Sequence, residues 1–123
     1  LRFREMIKEG LVSETLLDNI IRASAICKDE GGKISIVQLN DQFTALTGIK
    51  PDGDRTQEFS DYLTETQLQK LRELLHEANA HPLGGSEGTL RFRTAEGESA
   101  EYAVRVFLLY SSGANRIYLS TIG

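Results

Sequence analysis

The side chains of this chain that could bind a metal or act as a nucleophile are few and lie far apart. It contains two histidines, His76 and His81, and one cysteine, Cys27. A structural zinc site takes four cysteine or histidine ligands, so this set is one ligand short. A single cysteine excludes an internal disulfide, and no stretch resembles a signal peptide or a membrane helix. We therefore expect a reducing, cytoplasmic setting, within a longer protein that could itself be attached to a membrane, and no bound metal.

The sequence also lacks the motifs of common catalytic sites. It has no glycine-rich phosphate loop, no nucleophile elbow and no metal-binding pair at helical spacing. A small α+β enzyme with a closed pocket would need a carboxylate inside that pocket. Glu101 and Arg105 instead fall on the less apolar side of a predicted strand. We expect that the chain is not itself an enzyme.

Charge excludes a nucleic-acid partner. The 18 acidic residues outnumber the 14 basic ones and give a net charge of −4. Arg91 and Arg93 share one side of a predicted strand, but glutamates at 87, 96, 98 and 101 surround them. Binding to nucleic acid rests on the neutralisation of many phosphates, and this surface does not supply it.

The first part of the chain predicts two short helices, two strands and a third helix. Helical spacing of apolar residues covers 1–9 and, after Gly10, the stretch from Ser13 to Ile21. Strands follow at 25–28 and 33–39, separated by an acidic and glycine-rich turn. Asn40 or Asp41 then caps a helix over 42–47 that ends at Gly48.

The second part predicts one long helix and three strands. Residues 50–59 form an irregular polar connection. Thr64 and Gln67 form a capping box, and 81–85 ends the helix. Its apolar stripe consists of Leu68, Leu71, Leu74, Leu75 and Ala78. Strands follow at 89–93, 102–110 and 116–122, so the order favours one α+β domain with an antiparallel sheet and helices on one face.

The long strand has two apolar sides. Tyr102, Val104, Val106, Leu108 and Tyr110 share the side that should meet the helices. Ala103, Phe107 and Leu109 share the other side, which also needs cover. We predict that the leading helix, through Phe3, Met6 and Ile7, or a second copy of the chain supplies it.

Four short motifs in this order resemble the PAS fold over residues 14–122. The turn at 29–33 is similar to the turn between the first two PAS strands. Residues 40–48 match the spacing N-x-x-F-x-x-L-x-G of the short PAS helix. Residues 91–97 resemble the hairpin before the penultimate strand, and 117–122 resemble the last strand. The sequence that precedes these motifs resembles the segments that precede PAS domains in bacterial GGDEF-type diguanylate cyclases.

The resemblance implies a PAS-like five-stranded antiparallel sheet in the order 2-1-5-4-3, with an N-terminal flanking helix at 1–12 and the domain at 13–123. It implies a sensor or dimerisation module of a larger bacterial signalling protein, which relays a small-ligand or partner signal to an output domain such as a diguanylate cyclase. The expected partners are a second copy of the chain, an unidentified small molecule and that output domain.

Two cofactors known in the family are disfavoured. Haem-binding PAS domains use a histidine on the long helix, but the phase of His76 points it away from the sheet. Photosensing PAS domains that bind flavin use a cysteine on the short helix, and residues 40–42 contain none. We expect no cofactor.

The side chains between helices and sheet predict either a ligand pocket or a filled core. They are Ile36, Phe43, Leu46, Leu71, Leu75, Leu90, Phe92, Val104 and Val106. A filled core would leave dimerisation and relay as the only function, and a small-pocket enzyme is the third alternative.

Overall fold

The computed structural model describes residues 22–53, 56–94, 97–98 and 100–123. The helices predicted at 1–9 and 13–21 lie outside this range. The elements are β1 (Ala23–Glu30), β2 (Lys33–Leu39), α1 (Asp41–Thr47), β3 (Gln57–Glu58), a 3₁₀ turn (Phe59–Asp61), α2 (Glu65–Ala80), β4 (Ser86–Leu90), β5 (Arg93–Thr94), β6 (Gly97–Glu98), β7 (Tyr102–Ser112) and β8 (Asn115–Ile122).

The α+β class and the antiparallel sheet are confirmed. Within the described residues the main sheet has six strands in the order β3-β2-β1-β8-β7-β4. The predicted count of five was one too low, because the two-residue β3 pairs with Ser35 and Ile36 of β2 at the sheet edge. So short a strand has no alternating pattern to reveal it.

The first hairpin closes on two glycines. Gly31 and Gly32 have φ values of 60° and 93°, and the Gly32 amide donates to the Asp29 carboxylate at 3.0 Å. Left-handed backbone of this kind favours glycine, and it lets β1 and β2 return directly onto each other. Farther along, Ile26 pairs with Gln38 and Cys27 with Ile36, so Val37 is one extra residue in β2.

Helix α1 begins and ends where the sequence predicts. The Asn40 side chain accepts from the Phe43 amide at 2.9 Å, and Gly48 ends the helix at φ 81°. Phe43 and Thr47 are its buried residues. Local capping chemistry therefore fixes both ends of this short helix.

The apolar stripe of α2 is confirmed, but its predicted capping box is only half formed. Thr64 Oγ1 accepts from the Gln67 amide at 3.3 Å. Gln67 does not return the bond, because its Oε1 accepts instead from the Arg91 amide at 2.9 Å. The helix packs over β4 and β7. Neither described helix is long and apolar enough to cross a membrane.

The strand predicted at 89–93 lies three residues earlier, at Ser86–Leu90. Arg93–Thr94 pairs instead with Gly97–Glu98 in a separate two-stranded ribbon. The Arg93 amide donates to the Tyr62 carbonyl at 2.6 Å and ties this ribbon to the 3₁₀ turn. Phe92 is outside any strand, yet it is buried in the core.

Candidate functional site

Buried side chains line the space between the helices and the sheet. Eight of the nine predicted pocket residues are at most 9% exposed, and all eight belong to one cluster. Phe92 lies at its aromatic centre, with ring centroids 5.7 Å from Phe43 and 6.4 Å from Phe59. The eight are Ile36, Phe43, Leu71, Leu75, Leu90, Phe92, Val104 and Val106.

The ninth predicted pocket residue, Leu46, does not line this space, and its side chain is 42% exposed. In α1 the inward positions are taken by Phe43 and, one turn later, Thr47. Leu46 therefore falls on the flank of the helix. Its carbonyl nevertheless accepts from the Tyr102 hydroxyl at 2.6 Å, which links α1 to the start of β7.

The polar side chains buried on the inner face of the sheet include Cys27, Tyr118 and Ser120. Burial raises the pKa of the Cys27 thiol from 9.0 to about 12, and the nearby Ser120 hydroxyl offsets this only in part. Burial likewise raises the pKa of the Tyr118 phenol. Ser120 Oγ is buried without a hydrogen-bond partner of normal geometry among the described residues. These groups are neutral at physiological pH and are not poised for acid–base chemistry.

The outer face of the sheet carries a second apolar cluster, which we call the outer-face cluster. Its centre is formed by Ile26 and Ile117, each 2% exposed. Partly buried side chains from the same sheet pack around them: Val37, Leu109, Tyr110 and Leu119. Among the described residues the cluster contains strand residues only, whereas both helices pack on the inner face.

Tyr110 was predicted on the inner face and lies in the outer-face cluster. Leu108 pairs with Tyr118 and Tyr110 with Ile117, so Leu109 is an extra residue in β7. A bulge of this kind moves every following side chain to the opposite face. Leu109 and Tyr110 thus both pack against the outer-face cluster, and its apolar area is larger than strict alternation predicts.

The predicted interface residues of β7 are partly accessible. Phe107 and Leu109 are both half-buried. The Arg105 guanidinium lies 5.7 Å from the centre of the Phe107 ring and pairs with Glu87 at 2.9 Å. The other predicted interface residues, Phe3, Met6 and Ile7, lie outside the described residues.

Sequence reasoning missed a cleft of about 550 Å³ beside β2. One wall is β2 with Lys28, and the other is formed by Pro51, Asp52 and Gly53. Gln38 Oε1 is buried here and has no hydrogen-bond partner in the described part of the chain. Val37 of the bulge and Gln57 of β3 line the cleft, and neither the bulge nor so short a strand leaves a pattern in the sequence.

The described residues offer no arrangement for metal binding. His76 and His81 are both exposed, and Cys27 is buried on the opposite side of α2. No group of three histidine, cysteine or carboxylate side chains in the described part of the chain is placed to hold an ion.

No protein-family model and no curated protein matches the sequence. Solved structures do match. The Rhodobacter sphaeroides LOV protein is 14% identical with a TM-score of 0.66, covering 97% of this chain and 66% of that one. A PAS domain from a two-component sensor histidine kinase is 16% identical with a TM-score of 0.57, covering 95% and 96%. The PAS domain of an HTR-like protein from Haloarcula marismortui is 12% identical with a TM-score of 0.60, covering 99% and 96%.

Proposed function

We propose that this chain, whose fold is that of PAS and LOV domains, is a sensing and dimerising module of a larger bacterial signalling protein. The observation that supports this best is the sheet with two separate apolar faces. The inner face closes the domain core. The outer-face cluster is not part of that core, and we propose that a segment or subunit that relays a signal packs on it.

The occupant that we propose for the outer-face cluster is the leading segment, together with its equivalent from a second copy. Residues 1–21 precede β1, whose residue Ile26 lies at the centre of the cluster. The spacing of Phe3, Met6 and Ile7 predicts an apolar helical stripe that is too narrow for a core of its own. Burial of one large apolar side chain stabilises by about 1.5–3 kcal/mol, so joining the two surfaces is favourable.

A contact of this kind across a two-fold axis is self-complementary and produces a homodimer. A shift of the sheet would then move the leading segments, which connect to neighbouring domains. The similarity of this segment to the leaders of GGDEF-type diguanylate cyclases supports a cyclase as the output domain. We propose no catalytic role for the module itself.

Removal of the proposed contact between the leading segment and the outer-face cluster tests this proposal. Deletion of residues 1–9, or substitution of Phe3→Ser with Ile7→Ser, is expected to convert the dimer to a monomer by light scattering. The matched control is Arg2→Ser with Lys8→Ser, which changes polar residues of the same segment and should leave the dimer intact. A dimer that survives the deletion would show that the leading segment does not hold it together.

Ligand sensing within the core is a second candidate, supported by the buried Ser120 hydroxyl beside Cys27, which has no hydrogen-bond partner of normal geometry among the described residues. A buried hydroxyl without a partner costs about 1–3 kcal/mol, which a small polar ligand could recover if the core opened. Native mass spectrometry of the purified chain separates the candidates. Added mass that is lost on unfolding supports a ligand, and the bare chain mass supports a relay module with a filled core.

A further inference from the structure

Among the described residues, strand β4 is an edge of the main sheet. It pairs with β7 on one side and is the last strand in the sheet order. Ala103 exchanges both backbone hydrogen bonds with Gly123, so the backbone groups of Ala103 point toward β8. Because these directions alternate along a strand, the backbone N–H and C=O of Val104 point toward β4, and those of its partner Gly88 point back toward β7. The backbone groups of Glu87 and Thr89 therefore point away from the sheet.

A groove runs between this edge and α2. It has a volume of about 250 Å³ and is lined by Lys70, Glu73, Leu74 and Glu77 of the helix and by residues 87–89 of the strand. Gly88 keeps it narrow, because a Cβ there would lie 2.7 Å from the Leu74 side chain. Glu73, Glu77, Glu87 and Thr89 are exposed, so the groove is open to solvent.

The edge already engages an acceptor at one end of the groove. The backbone groups of residue 91 point outward, like those of 87 and 89. The Arg91 amide donates to Gln67 Oε1 at 2.9 Å. The side-chain carbonyl occupies the place that a backbone carbonyl of a neighbouring strand would take. The amides of Glu87 and Thr89 present the same geometry to solvent.

Charge favours one kind of occupant. Glu73 and Glu77 of the helix face a single Lys70, while Glu87 is already paired with Arg105, so the helix side of the groove carries an acidic excess. A second copy of the chain, paired through its own β4, would bring the same acidic side chains alongside. A basic segment would satisfy both the backbone edge and the charge.

We propose that the β4–α2 groove binds an extended basic segment of another protein, which adds to β4 as a further strand. Backbone hydrogen bonds to Glu87 and Thr89 supply affinity, and lysine or arginine side chains facing Glu73 and Glu77 supply specificity. This surface is separate from the outer-face cluster, so the proposal stands or falls independently of the proposed dimer.

A labelled peptide tests the proposal. The probe is a fluorescein-labelled seven-residue peptide that alternates lysine and valine, and its control alternates glutamate and valine. We expect saturable anisotropy for the first peptide only. Thr89→Pro removes the outward amide without breaking the β4–β7 ladder and should weaken binding about tenfold. Thr89→Ala keeps the amide and should bind like the wild type.

Further variants keep the test decisive if the proline affects folding. The lysine–valine peptide N-methylated at every residue has no backbone donor on either edge, and its methyl groups block close strand pairing, so it should lose binding to the unaltered protein. Glu73→Gln with Glu77→Gln should weaken binding, whereas Glu30→Gln at the far end of the sheet should not. Equal binding of the methylated peptide, or a dimer that dissociates in Thr89→Pro, would overturn the proposal.

Discussion

Substitution of Asn40 by alanine should destabilise the domain more than loss of a helix cap alone. Asn40 is 1% exposed, and its Oδ1 accepts from the amides of Ser24 and Phe43, each at 2.9 Å. Its Nδ2 donates to the Arg22 carbonyl at 2.8 Å. One side chain thus caps α1 and ties it to the beginning of β1, next to the leading segment.

The magnitude follows from the groups left without partners. Loss of the α1 cap costs about 1 kcal/mol. The Ser24 amide is fully buried and adds about 2 kcal/mol when it is left unsatisfied. Arg22 is exposed, so its carbonyl is rehydrated at little cost. The free energy of unfolding should therefore fall by about 3 kcal/mol, and the Tm by roughly 12 °C.

Urea unfolding followed by circular dichroism measures this difference. The matched control is Thr64→Ala, which removes the cap of α2 but no bond to another element. It should cost about 1 kcal/mol. If Asn40→Ala costs no more than Thr64→Ala, the bonds from Asn40 to β1 contribute nothing and the reasoning is wrong.

Three further results are expected. The pKa of Cys27 rises from 9.0 to about 12 on folding, so the unfolded chain ionises first and stability is lost between pH 9 and 12. By pH 10 the loss should reach about 1 kcal/mol, and Cys27→Ala should lack this component in alkaline urea titrations. Gly85 has φ 69°, and a Cβ there would lie 2.5 Å from the Val106 carbonyl oxygen. Gly85→Ala should therefore lower the free energy of unfolding by at least about 2 kcal/mol. Gly84→Ala adds a Cβ with no described atom within 4 Å and should be near neutral, so equal Tm values of the two variants would contradict this. The purified chain should show neither a Soret band nor flavin fluorescence, and either signal would refute the absence of those cofactors.

Features set by neighbouring residues were predictable from the sequence. The spacing from Asn40 to Gly48 defines α1 because a side-chain cap and a left-handed glycine act within the helix itself. The leucine stripe predicted that α2 packs on the sheet, because apolar residues at helical spacing within the helix itself define the face that is buried. It also placed His76 on the exposed side.

Features set by distant residues were not predictable. Gln67 bonds to Arg91 instead of completing its capping box, and this depends on where β4 ends. The extra residues Val37 and Leu109 interrupt a period of two, which a pattern of alternation cannot anticipate. The second interruption transfers Tyr110 to the outer-face cluster, which makes that face more apolar than predicted.

The molar mass of the intact chain in solution tests the central proposal most directly. Sedimentation equilibrium over a wide range of concentrations should give twice the chain mass of 13.7 kDa. A dimer of that mass is what the proposed cover of the outer-face cluster by leading segments and a second copy requires. A mass of 13.7 kDa at every concentration would contradict the account.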